Sequence, residues 1–103
     1  MERFLIVYRG APAGEGEVAV HHPEQWAAWF DRMGAAVIDR GSLTQASVEV
    51  PSRLIGPKLS GSSLSGYSIV EAADFDAVVR VAQACPIFDE RGSVEIARLI
   101  DRP

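Results

Sequence analysis

A single cysteine and only two histidines stand in this chain of 103 residues. One cysteine excludes an internal disulfide and fits a reducing, cytoplasmic setting. The histidines, His21 and His22, are adjacent, and neighbouring residues rarely both reach one ion. No acidic or cysteine partner stands at ligand spacing, so no metal is expected. The Gly-Glu-Gly of the first loop lacks both GxGxxG spacing and a Walker lysine, and no cofactor is expected either. Positive charge is also short: ten Lys and Arg face fourteen Asp and Glu, a net charge of −4. Without a basic stripe, an RNP-like run or zinc-finger spacing, nucleic acid is a poor candidate partner. No apolar run approaches the roughly 18 residues that span a bilayer, and the amino-terminal run is too short for a secretory signal. A membrane is therefore not expected as partner.

What is present describes one ordinary globular domain. Hydrophobic residues make up 48% and charged residues 23%, a balance that supports a core and argues against disorder. Residues 66–100 form the clearest unit. Gly66 precedes a β-prone run at 67–72, and Asp74 stands where a helix N-cap belongs, with Asp76 in the first turn. Phe75, Val78, Val79 and Ala82 follow helical spacing, and Cys85 continues their stripe. Pro86 stops that helix. Gly92 opens a last strand over 93–100, with Val94, Ile96 and Arg98 on one side and Glu95, Ala97 and Leu99 on the other.

Earlier in the chain, residues 3–9 (RFLIVYR) read as a strand apolar on both faces. A glycine-rich loop follows over 10–22, with room for a short extended piece at 18–20. Pro23 starts a helix whose stripe is Trp26, Trp29, Phe30, Met33 and Val37, with Gly34 inside it and Gly41 as C-cap. Residues 42–50 read as one strand or two short ones. The serine-rich stretch 51–65 reads as a surface loop with a brief hairpin arm at 54–55.

This βαββαβ order predicts an α+β, ferredoxin-like domain: a four-stranded antiparallel sheet with two helices on one face. Two helices cover one side of a sheet, yet the first and last strands carry apolar groups on both. A second copy is the simplest cover for the other side, which predicts a homodimer with sheets face to face.

With these residues laid out, the chain resembles the YCII-related (DGPF-type) family of the dimeric α/β-barrel superfamily. The likeness is carried by Trp26-Ala-Ala-Trp29-Phe30, residues 34–41 (GAAVIDRG), Gly66-Tyr67-Ser68-Ile69, Cys85-Pro86 and Gly92-Ser93-Val94-Glu95. The resemblance implies a ferredoxin-like subunit and a dimer. The chain departs from the pattern at Ile87, where relatives often carry histidine, and near Trp29, where a branch with proposed acid–base chemistry places one.

The candidate site residues follow. Asp39, placed at the end of the first helix where the dipole disfavours negative charge, is a candidate general base unless an arginine such as Arg40 or Arg9 pairs with it. Tyr8 and Tyr67 are candidate acids or hydrogen-bond donors, with core packing as the plain alternative. Trp26 and Trp29 would wall an aromatic-friendly pocket or simply fill the core. Ser68, Arg9 and His22 are candidate binding residues. The histidine pair reads either as a solvated loop before the helix or as a proton-transfer group swung over a pocket. Cys85 lies at a helix end and reads as buried and inert. Two functions stay open: a cofactor-independent acid/base enzyme of isomerase, lyase or cyclase type acting on an apolar or aromatic metabolite, and a non-catalytic dimeric module that binds a small molecule or a protein.

Overall fold

The sheet grows from β1 (Glu2–Arg9), whose alternation separates two environments. Phe4, Ile6 and Tyr8 are at most 1% exposed, while Leu5, Val7 and Arg9 on the other face are half-buried. The computed structural model describes residues 1–10, 21–59 and 64–100; the glycine-rich loop and the extended piece expected at 18–20 lie outside the described residues, apart from Gly10, His21 and His22. α1 (Pro23–Met33), β2 (Val37–Leu43), β3 (Val48–Glu49), β4 (Lys58–Leu59), β5 (Leu64–Ala72), α2 (Phe75–Ala82) and β6 (Ser93–Arg98) follow in order.

The fold is α+β. Four strands form one antiparallel sheet in the order β2–β5–β1–β6. β1 pairs with β5 through Leu5 opposite Ile69 and Val7 opposite Tyr67, and with β6 through Leu5 opposite Ala97. Because β5 and β6 both run antiparallel to β1, they run parallel to each other with β1 between them. The strand–helix–strand unit read at 66–100 therefore joins two parallel strands across a third.

Both helices pack on the face of Phe4, Ile6, Tyr8 and Val70. α1 contributes Trp26, Trp29 and Phe30, and α2 contributes Val78 and Ala82, all 9% exposed or less. Full burial of such a side chain contributes about 1.5–3 kcal/mol. The Trp29 indole N–H donates to the Val81 carbonyl at 3.1 Å, which ties the two helices together. Asp74 caps α2 as expected, its carboxylate accepting from the Ala77 amide at 2.9 Å. Phe75 and Val79 differ from expectation: they flank the buried stripe and stay 38% and 41% exposed. Phe75 instead packs edge-on against Phe4 at 5.0 Å, under the Arg98 guanidinium.

The larger correction concerns α1. It ends at Met33, not near Gly41, because Gly34 takes the left-handed φ of 56° as its C-cap and donates its amide to the Phe30 carbonyl. A 3-10 turn over Gly34–Ala36 then leads into β2. Val37 falls at i+4 from Met33 and mimics a continued helical stripe, but it reaches the core from a strand. β3 and β4 pair as an isolated two-stranded arm, with Leu54 97% exposed and Ile55 60% exposed at its tip.

The second face of the sheet carries Leu5, Val7, Ile69 and Ala97, flanked by Tyr67 and by the Arg9–Glu95 ion pair at 3.3 Å. No described helix lies over it. Among the described residues, no helix is long and apolar enough to cross a membrane.

Candidate functional site

β2 is an outer strand with two irregularities, one between Val37 and Asp39 and one between Asp39 and Ser42. The second is a bulge at Arg40 and Gly41 that leaves backbone groups outside the ladder. Gly41 has a φ of 71°, and a Cβ there would overlap the Tyr67 carbonyl oxygen. The Gly41 amide donates to the Asp39 carboxylate at 2.7 Å. The Arg40 carbonyl accepts from the Ser68 hydroxyl, and that hydroxyl accepts from the Tyr8 phenol at 2.7 Å. Tyr8 and Ser68 thus form a buried relay that closes the bulge from the core side. Burial pushes the Tyr8 phenol well above its ordinary pKa, against the opposing hydrogen bond to Ser68.

Beside the bulge lies a cavity of about 150 Å³. Tyr8, Trp26 and Phe30 form its aromatic walls, residues 40–43 of β2 form its rim, and Tyr67 borders it. Tyr8 and Trp26 stack edge to face at 4.8 Å. Arg40 supplies the one charged side chain among the lining residues. Its guanidinium lies 5.2 Å over the Phe30 ring and donates to Asp31 at 2.8 Å.

Trp26 joins the cavity to a second cluster. Its indole N–H donates to Glu90 Oε2 at 2.9 Å. The same oxygen accepts from the His22 amide at 3.1 Å, and Glu90 Oε1 lies 2.6 Å from His21 Nδ1. The Glu90 side chain is only 4% exposed. Burial alone would push its carboxyl up, but the hydrogen bonds from His21, Trp26 and the His22 amide, with attraction from the imidazole, outweigh that and hold it below the usual carboxylate value. An ionised carboxylate only accepts, so His21 Nδ1 carries the hydrogen. Whenever the ring is neutral, Nε2 is then the nitrogen that holds the lone pair. It is buried and has no hydrogen-bond partner among the described residues.

The structure redistributes the residues singled out from the sequence. Asp39 lies on β2 and not at a helix end, so the helix dipole does not act on it as supposed. It is exposed, bonds the Gly41 amide and does not line the cavity. Tyr8 and Trp26 do meet at the cavity, which Tyr67 borders from a register position opposite Val7 on the second face of the sheet, whereas Trp29 is core, 1% exposed, and Ser68 is consumed by the relay. Arg9 pairs with Glu95 on the opposite face of the sheet. His22 enters through its backbone amide. Cys85 is buried as expected, and burial pushes its thiol up to about 12. Glu90 and Arg40 were missed as site residues. Among the described residues, no group of three or more His, Cys, Asp or Glu is placed to hold a metal ion.

Comparison with known proteins leaves the site to speak through its own geometry: no family model, no curated protein and no solved structure matches the chain.

Proposed function

We propose that the chain is a YCII-like small-molecule protein that performs cofactor-independent proton transfer on an apolar or aromatic metabolite. The observation that carries this reading is the His21–Glu90 pair. A buried carboxylate orients Nδ1–H at 2.6 Å and leaves Nε2 buried without a partner among the described residues. That is the arrangement of a general base fixed in one tautomer. Trp26 couples the pair to the aromatic cavity, where the ligand would sit. His21 replaces Asp39 as the base in this scheme. The strand order supports a ferredoxin-like subunit, the uncovered apolar face supports a homodimer of the dimeric α/β-barrel kind, and the single cysteine fits a cytoplasmic setting. A Val7→Lys substitution on that face should yield monomers in light scattering; a monomeric wild type would sink the dimer.

A second reading, a binding module without chemistry, is favoured by Asp39 and Tyr8 being engaged in closing the bulge. Proton exchange separates the two. In D2O, a panel of aryl ketones and lactones is followed by 1H NMR for exchange of acidic C–H groups. The enzyme reading expects exchange with wild type and its loss by about 10²–10⁴-fold in His21→Gln, with binding retained. Ligands that bind both proteins and never exchange would establish the module instead.

A further inference from the structure

We infer that the cavity is a subsite for a single-ring aromatic carboxylate, with the Arg40 guanidinium as the partner of its charge. This deepens the proposed function, on whose cavity it rests. A volume of about 150 Å³ matches one benzene-sized ring. Tyr8, Trp26 and Phe30 offer ring faces and edges on which a planar aromatic packs favourably. Nothing acidic lines the space, and Arg40 is its one charged lining group.

Arg40 is also held ready. Its backbone is pinned by the Ser68 hydroxyl, which the buried Tyr8 phenol supports in turn. Its side chain lies over the Phe30 ring and is ion-paired at 2.8 Å with the exposed Asp31 carboxylate, from which a bound carboxylate would draw it. A guanidinium has five N–H donors in a planar fork, so donors beyond the one on Asp31 remain to meet a carboxylate. A core relay that ends on this residue's carbonyl fixes the backbone from which the guanidinium reaches the rim of an aromatic slot. A ring alone would be bound without orientation; the fork sets which end faces outward.

The test uses benzoate, benzyl alcohol and benzylamine on the intact protein, read by the two tryptophan indole N–H resonances. Trp26 walls the cavity, and Trp29, bonded to Val81, is the internal control. Benzoate should shift the Trp26 resonance saturably, leave Trp29 in place, and bind at least about tenfold tighter than benzyl alcohol, as a charge-assisted hydrogen bond provides. Benzylamine should be the weakest. Arg40→Gln should lose that tenfold preference without weakening benzyl alcohol, and Arg40→Lys should keep part of it. Equal binding of benzoate and benzyl alcohol, or full benzoate affinity in Arg40→Gln, overturns the inference and leaves the cavity reading intact. If none of the three probes moves Trp26 in wild type, the cavity reading falls and this inference falls with it.

Discussion

Replacing Glu90 by glutamine keeps the volume of the side chain and removes its charge, so its consequences can be worked atom by atom. The carboxylate accepts from the His21 ring, the Trp26 indole and the His22 amide. A glutamine offers one accepting oxygen. Placed at the Oε2 position, that oxygen keeps Trp26 and His22. The amide NH2 then faces His21 Nδ1, which can accept only if the ring moves its hydrogen to Nε2. Hydrogen bonds to a charged acceptor contribute about 1.5–3 kcal/mol against about 0.5–1.5 for neutral ones, and relief from burying a charge offsets part of the difference. The expected net loss is about 1–3 kcal/mol. For a domain near this size each kcal/mol lowers Tm by roughly 4–8 °C. The sign of the pH effect follows from the depressed carboxyl. Its contribution is fully present above the ordinary value of 4.5 and disappears as pH falls through the lower folded value. The stability gap between wild type and Glu90→Gln should therefore be full at pH 7 and close on acidification. Thermal melts across pH give the gap, and 15N NMR of the imidazoles gives the tautomer. Equal melting at pH 7 together with an unchanged His21 tautomer would refute the reasoning.

Three further outcomes follow from the same geometry. Tyr8→Phe removes one donor and should cost about 1 kcal/mol in urea unfolding, whereas Ser68→Ala strands both the phenol and the Arg40 carbonyl and should cost about 2–4 kcal/mol. The reverse order would contradict the relay. Gly41→Ala forces a side chain into a left-handed conformation against the Tyr67 carbonyl and should destabilise by about 3 kcal/mol or more, read as a fall in the unfolding midpoint. Cys85, with its thiol at about 12 and 2% exposed, should resist a thiol-reactive dye at pH 8 and react at once in denaturant; rapid labelling of the native protein would argue against its burial.

Much of the fold was legible because its signals are local. The Asp74 cap, the apolar run of β1 and the Gly92 start of β6 each depend on a few consecutive residues. The α1 boundary was misread because Val37 continues the helical spacing by coincidence, while the Gly34 dihedral that ends the helix leaves no mark in the hydrophobic pattern. The site was less legible still. Glu90 stands in a polar turn, and its partners are 64 to 69 positions away in sequence. Nothing in that turn distinguishes it from a solvated acid. The histidine pair did raise proton transfer as a possibility, but only folding selects His21 over His22. Arg40 read as a partner for Asp39; the bulge turns it towards α1 instead.

The same bulge has a bearing on how copies of this chain can meet. An outer strand normally offers a row of free amides and carbonyls to which another chain can add, the route to runaway strand stacking. β2 breaks that row twice. At the second break the Arg40 carbonyl is occupied by Ser68 and the Gly41 amide by Asp39. A neighbouring strand laid along β2 would find no continuous register to copy. The device that shapes the cavity therefore also spoils this edge of the sheet as a template for strand addition.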